Sequence, residues 1–139
     1  MNIEELNNFC KDTLIGHLDI EFLEYGPDFV LARMPVDSKK IQPMGILHGG
    51  ASLALAETVA SVGSYFLVDP EKYAVMGMQV SGNHINPVTG GTVYARAELL
   101  HKGTMTHIWD VRIETEDKKP AALIRVTMAV VEKEKLRNK

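Results

Sequence analysis

The segment from Ile41 to Leu67 most constrains the fold, because it contains the one long helix that the sequence predicts. From Ala51 onward its residues are mostly small and apolar, and Glu57 is the single carboxylate among them. Burying a carboxylate costs free energy unless the group is paired, protonated or used in chemistry. Glu57 is therefore the first candidate for a catalytic residue.

The residues that begin this helix suit the binding of a negatively charged oxygen. His48, Gly49 and Gly50 precede Ala51, and glycine lets the backbone come close to a ligand. First-turn N–H groups have no partner inside a helix, and the helix dipole favours negative charge beside them. We expect this end to hold a developing oxyanion, with Gln42 just before the helix as a further donor.

The spacing of Gly49 and Glu57 predicts a homodimer. The two residues lie eight positions apart, which is roughly 12 Å along a helix axis. One chain cannot bring both to the same carbonyl carbon, so two antiparallel copies of the helix must lie side by side. Ser61, one turn after Glu57, is expected to hydrogen-bond that carboxylate or an attacking water.

Length and composition agree with one compact cytoplasmic domain. The chain has 139 residues, 45% of them hydrophobic, and a net charge of -3, which argues against nucleic-acid binding. The N-terminus is acidic and polar, and no apolar run approaches the length of a membrane span. The single cysteine, Cys10, excludes an intrachain disulfide and is expected to pack as a small apolar residue.

The hydrophobic pattern predicts an α+β fold, a curved antiparallel sheet wrapped around the long helix. A short helix ends near Gly16, and the tail from 132 to 139 is expected to fray. Residues 1–139 are expected to form a single domain. The predicted strands are Asp19 to Tyr25, Phe29 to Pro35, Tyr73 to Asn86, Gly91 to His101, Met105 to Glu116 and Lys119 to Glu132.

Three blocks of the sequence resemble the hotdog-fold acyl-CoA thioesterases. The blocks are Met34 to Ser61, Asn83 to Val93 (NHINPVTGGTV) and Leu99 to Gly103 (LLHKG). The resemblance is to the branch of 4-hydroxybenzoyl-CoA thioesterase, the proofreading thioesterase of enterobactin synthesis and the phenylacetate-type enzymes. It covers nearly the whole chain and implies the hotdog fold.

The resemblance assigns roles to five residues near the helix. It implies that Glu57 attacks the thioester carbonyl or activates a water to do so, and that the Gly49 N–H binds the carbonyl oxygen. Gln42 and His48 are implied to line the same pocket from the partner subunit. Ser61 is implied to orient the water or Glu57.

Two further groups are implied to bind the substrate. Gly82, Asn83 and His84 would form the strand edge along which pantetheine runs, with His84 near the acyl or pantetheine part. Lys102, Gly103 and Thr104 fall where relatives contact the CoA nucleotide. Because a thioester is already activated, no metal or other cofactor is expected, and the five histidines lack metal-ligand spacing. His101 and His107 are expected on strand surfaces or in loops.

The leading hypothesis is hydrolysis of an acyl-CoA to free acid and CoA. The resemblance favours aromatic acyl groups, for example 1,4-dihydroxy-2-naphthoyl, phenylacetyl or hydroxybenzoyl, and an acyl or aryl carrier protein is an alternative thioester carrier. A homodimer, paired into a dimer of dimers, is expected. The alternatives are a hotdog-fold hydroxyacyl-thioester dehydratase and a non-catalytic acyl-CoA-binding protein. Glu57 could also be a structural carboxylate paired across a dimer interface with Arg33, Arg96 or another basic residue.

Overall fold

The computed structural model describes residues 1–137, and these contain six strands, one long helix and three short helices. The strands and the long helix follow the predicted order. In chain order the elements are α1 (Ile3–Cys10), α2 (Leu14–His17), β1 (Glu21–Tyr25), β2 (Phe29–Pro35), α3 (Gly49–Tyr65), β3 (Tyr73–His84), β4 (Thr92–Lys102), β5 (Thr106–Thr115), β6 (Pro120–Glu132) and α4 (Lys133–Arg137).

The six strands form one antiparallel sheet in the order β1-β2-β4-β5-β6-β3, so β1 and β3 are its two edges. Helix α3 packs against β2, β3, β4, β5 and β6. Alternate residues of a strand point to opposite faces, and one face is buried against α3. The predicted α+β arrangement is confirmed. The buried residues of β2, β4 and β5 are Val30, Ala32, Met34, Val93, Ala95, Ala97, His107, Trp109, Val111 and Ile113.

Helix α3 is held on the sheet by a very close contact with β5. A methyl group at Gly63 would lie 2.4 Å from the ring of Trp109, so only glycine leaves room for that ring. The indole Nε1 of Trp109 donates to Oγ of Ser64 at 2.8 Å. The ring and this hydrogen bond together fix the position of α3 along the strands.

His107 is buried, which corrects the expectation that it lies on a strand surface or in a loop. It is 1% exposed, and its Nδ1 lies 2.8 Å from Oγ of Ser64. Burial lowers the pKa of His107, and the nearby charges of Lys102 and His101 lower it further. The buried partner is a helix residue distant in sequence, so the strand pattern alone could not predict this position.

The N-terminal segment forms two helices rather than the predicted one. Helix α1 ends at Cys10, and the side chain of Thr13 accepts the N–H of Ile15 at 3.2 Å to begin α2. The side chain of Asn7 in α1 bonds both backbone groups of Phe22, at 3.0 Å to the carbonyl and 2.8 Å from the N–H. Helix α1 therefore covers the outer edge of β1.

Several element ends differ from the prediction by one or two residues, among them both ends of β4 and β5 and the start of β6. Strand β1 begins at Glu21 rather than Asp19, because Asp19 has a left-handed φ of 58°. Strand β3 ends at His84 rather than Asn86. The expected frayed tail is instead the short helix α4 over Lys133–Arg137, whose first N–H donates to the carbonyl of Lys72 at 2.9 Å. Residues 138–139 lie outside the described residues. In the described part of the chain, no helix is both long and apolar enough to cross a membrane.

Candidate active site

The first turn of α3 leaves one backbone donor free. Nδ1 of His48 accepts the N–H of Gly50 at 2.8 Å, and the His48 carbonyl accepts from Ala51 and Ser52. Within residues 1–137, the N–H of Gly49 has no acceptor. It lies at the positive end of the helix dipole, where anionic oxygens bind well. This geometry suits the oxyanion-donor role expected for Gly49.

Gln42 lies in a tight loop, residues 40–48, that leads into α3. The loop is closed at its base by the N–H of His48, which donates to the carbonyl of Lys40 at 2.7 Å. At its tip, the N–H of Gly45 donates to the carbonyl of Gln42 at 2.8 Å, and Gly45 has a φ of 81° that favours glycine. The loop therefore places Gln42 and His48 at the same end of α3 as Gly49.

His84, at the end of β3, stands directly over Gly49. A methyl group at position 49 would lie 3.0 Å from Nε2 of His84, so glycine makes room for the imidazole. A mostly apolar cavity of about 350 Å³ opens beside this pair, and the side chain of Ser52, 3% exposed, lines it. The other lining residues are Ile46, Leu47, Ile85, Asn86, Pro87, Val88 and Ala121.

Gly82 and Asn83 precede His84 on the exposed part of β3. They pair with Ile124 and Leu123 of β6, so their other side forms the open edge of the sheet. The structure therefore brings the three residues expected to contact pantetheine onto one strand end beside Gly49.

Glu57 is exposed in the single chain, so its carboxylate does not bear the cost of burial there. The apolar sequence around it does not distinguish the side of α3 that faces the sheet from the side that faces away. Its carboxyl group lies against β3 at Gly77, where a methyl group would be 2.7 Å from the carboxyl carbon. Glu57 thus lies beside the open edge of the sheet.

Ser61 does not bond Glu57 in the single chain. Its hydroxyl donates to Sδ of Met128 at 3.7 Å, a weak contact that directs it toward the sheet. Arg33 and Arg96, considered as structural partners of Glu57, pair with other carboxylates at 2.9 and 3.1 Å. Those carboxylates are Glu21 and Glu98.

Lys102 ends β4, and Gly103 and Thr104 lie in the turn that leads to β5, far from Gly49 of the same chain. Lys102 pairs with His107, and His107 contacts Ser64 near the C-terminal end of α3. With 17 residues, α3 is roughly 25 Å long. One chain therefore does not bring this turn to the oxyanion end of the helix.

Two residues at the site were missed by the sequence analysis. Gly77 receives the Glu57 carboxyl, and a glycine inside a strand was a signal that another group approaches closely. Lys40, in the 40–48 loop, is 1% exposed, although two adjacent lysines such as Lys39 and Lys40 are usually expected at the surface. Its Nζ donates to Asp19 at 2.8 Å and to Asp37 at 3.1 Å. No sequence signal distinguished it from the exposed Lys39.

The sequence model of the thioesterase superfamily matches residues 44–122. The chain is 38% identical over 131 residues to the proofreading thioesterase EntH of Cronobacter turicensis, covering 94% of this chain and 95% of that one. It is 36% identical over 131 residues to the 1,4-dihydroxy-2-naphthoyl-CoA hydrolase of Escherichia coli, covering 94% and 96%. A crystal structure of a mutant thioesterase PA1618 from Pseudomonas aeruginosa superimposes with a TM-score of 0.92, at 41% identity and 95% coverage of both chains.

The family match spans more than half of the chain, and these identities extend over nearly its full length. The TM-score of 0.92 over 95% of both chains means that the PA1618 crystal structure has the same fold as this chain. The chain therefore belongs to the thioesterase superfamily and is a hotdog-fold thioester hydrolase.

Proposed function

We propose that the protein hydrolyses an aromatic acyl-CoA to the free acid and coenzyme A, at a site built from two copies of the chain. The observation that carries this proposal is the pair of groups on α3. The N–H of Gly49 has no acceptor among the described residues, and the carboxylate of Glu57 is exposed roughly 12 Å further along the same helix.

An antiparallel second copy of the chain would bring Glu57 and the Gly49 N–H together although they lie far apart on one helix. It places Glu57 of one copy beside Gly49 of the other, and the reverse, so that the dimer has two equal sites. The same arrangement carries the Lys102 turn of one copy toward the oxyanion end of the other helix. This supports a role for Lys102, Gly103 and Thr104 in holding the CoA nucleotide. A pair of such dimers completes the proposed assembly.

The reaction needs an oxyanion donor and one carboxylate. The thioester carbonyl oxygen accepts the Gly49 N–H, and Gln42 and His48 help to position it, so charge developing on that oxygen is stabilised. Glu57 then either attacks the carbonyl carbon, forming an anhydride that water hydrolyses, or removes a proton from the attacking water. In both routes the C–S bond breaks and the CoA thiolate leaves and takes a proton. In this proposal Ser61 gives up its weak contact with Met128 and orients the water or Glu57.

The cavity beside His84 supports the proposal that the acyl group is aromatic. Its volume of about 350 Å³ and apolar lining lie within the range of small-molecule sites. One relative is named for 1,4-dihydroxy-2-naphthoyl-CoA, a fused aromatic thioester, and another for proofreading. Pantetheine would run past Gly82 and Asn83. A carrier-protein thioester would present the same acyl and pantetheine groups.

The test is release of free thiol from a panel of aromatic and aliphatic acyl-CoAs by the wild type, Glu57→Ala and Glu57→Gln. We expect hydrolysis of an aryl-CoA by the wild type and a loss of at least ~100-fold in kcat for both variants. Glu24→Ala removes an exposed glutamate of β1 and should leave kcat unchanged. Circular dichroism and light scattering establish that each variant is folded and oligomeric.

Other outcomes identify the alternatives. Hydration of an enoyl-CoA without thiol release would indicate a dehydratase. CoA binding with no turnover of any thioester would indicate a binding protein. Activity that survives both changes at Glu57 would exclude that residue as the catalytic carboxylate.

A further inference from the structure

Lys40 is a buried cation that the hydrolytic reaction itself does not use. Its side chain is 0% exposed, and its Nζ lies 2.8 Å from Oδ2 of Asp19 and 3.1 Å from Oδ2 of Asp37. Lys39, its neighbour, also donates to Asp19, at 2.9 Å, but is nearly half exposed. A lysine is almost never fully buried unless it is paired. Lys40 therefore holds together two carboxylates that would otherwise repel each other.

The backbone of the same residue closes the loop that begins the catalytic helix. The Lys40 carbonyl accepts the N–H of His48 at 2.7 Å, and Ile41 pairs with Leu47 just inside this bond. His48 in turn caps α3 through the N–H of Gly50. A displacement of Lys40 would therefore move both ends of the 40–48 loop.

The ammonium group connects this loop to the N-terminal part of the chain. Asp19 follows α2 and adopts a left-handed φ of 58°, which a non-glycine residue keeps only when its surroundings hold it. Hydrogen bonds from Lys40 and then from Lys39 lower the pKa of Asp19 to about 2. The carboxylate is therefore charged, and the ion pair intact, throughout the neutral pH range.

We propose that Lys40 is a positioning residue for the oxyanion site: its ion pairs with Asp19 and Asp37 fix the 40–48 loop, and thereby Gln42 and the Gly49 N–H, on the rest of the domain. The inference rests on the proposed function, because it assigns Gln42 and Gly49 to the reaction. Lys40 itself does not contact the substrate.

The first test is the kinetics of Lys40→Met, which keeps the length of the side chain and removes its charge. We expect kcat for the aryl-CoA to fall about 10-fold and KM to change less than about 3-fold, because small displacements of positioned groups mainly reduce the rate. Lys39→Met is the matched control, since it removes one bond to the same Asp19 from an exposed site. Its kcat should stay within about 2-fold of the wild type.

A double-mutant cycle separates positioning from general stability. If Lys40 acts through the loop that holds Gln42, Lys40→Met should lower kcat much less in a Gln42→Ala background than in the wild type. Equal effects in both backgrounds, or an unchanged kcat in Lys40→Met measured well below its melting temperature, would overturn the proposal.

Hydrogen exchange tests the same inference without any activity. In Lys40→Met the amides of residues 41–50 should exchange faster, whereas those of β5 should keep their wild-type rates. Lys39→Met should match the wild type in both segments. If the wild type hydrolyses no thioester, the proposed function fails while exchange still decides whether Lys40 fixes the loop. Unchanged exchange in Lys40→Met would contradict the positioning role in either case.

Discussion

One edge strand of the sheet, β1, is covered by a helix, whereas the other, β3, is open. At β1, five residues long, the Asn7 side chain bonds both outward-facing backbone groups of Phe22, and α1 covers the edge. At β3, 12 residues long, the edge is open and carries exposed apolar side chains, with Met76 42% and Met78 60% exposed. Long apolar edges invite pairing with another chain unless they are covered.

The open edge of the sheet, unlike the closed one, lies beside the candidate catalytic carboxylate. Glu57 lies beside the open edge, against Gly77, and it is at this edge that the proposed second copy would bring its own Gly49. The closed edge, β1, is at the opposite end of the sheet from β3, against which Glu57 lies. We therefore expect changes at β3 to alter assembly and activity, and changes at β1 to alter stability alone.

The largest effect is expected from charges on the open edge. Met76→Lys combined with Met78→Lys should prevent pairing of β3 with a second copy, because charged lysines block edge-to-edge contact. The variant should elute near its monomer mass of 15.4 kDa. Its kcat should fall at least ~100-fold although Glu57 is intact, since the two halves of the site no longer meet. Light scattering and thiol release measure both quantities.

The matched control places the same charges near the closed edge. Phe9 and Leu14 are 69% and 64% exposed, and Phe9→Lys with Leu14→Lys should change neither mass nor activity. A Met76, Met78 variant that is a fully active monomer would show that one chain suffices, and the two-copy site would have to be abandoned.

A smaller loss is expected from Gly77→Ala. The added methyl would lie 2.7 Å from the Glu57 carboxyl carbon, so the flexible carboxylate must move away from β3. We expect kcat to fall about 10-fold with little change in melting temperature, because the displacement affects position rather than the core. Gly90→Ala is the control, since nothing lies within 4 Å of its added methyl. Equal kcat values for both variants would argue against a catalytic role for the position of Glu57 against Gly77.

The smallest effect on activity is expected at the closed edge. Asn7→Ala removes both hydrogen bonds to Phe22 and should lower the free energy of unfolding by about 1–2 kcal/mol, measured by urea denaturation. The kcat of the folded protein should not change. Asn8→Ala alters the exposed neighbour and should leave stability within about 0.5 kcal/mol. A loss of kcat in Asn7→Ala would mean that the two edges are coupled.

Most of the fold follows from local patterns that the sequence displays. A short apolar run bounded by turn residues predicts the strand Phe29–Pro35, whose bounds agree with the structure. The long helix and the order of elements follow in the same way. The break after Cys10 was missed, because a hydrophobic stripe does not show where Thr13 starts a new helix. The hydrogen bonds that cap a helix depend on the local backbone conformation, which the spacing of hydrophobic residues does not indicate.

The site was predictable where it depends on neighbouring residues and unpredictable where it depends on distant ones. Gly49 and His48 are adjacent in sequence, and the helix start explains both. The contacts of Gly77 with Glu57, of His84 with Gly49 and of Lys40 with Asp19 join segments about 20 or more residues apart. Only the packed structure brings such pairs together, and a lysine pair gives no sign of which member is buried.

Trp109 packs directly on the backbone of Gly63, and this close contact limits how such an enzyme can diverge. Any larger residue at 63 would collide with the indole and push the helix away from β5. New acyl preferences are then expected to arise by exchange of side chains such as Ile46 or Ile85 that line the cavity. Substrate specificity in this fold is therefore expected to change through the side chains of the cavity while the backbone of the sheet and of α3 is retained.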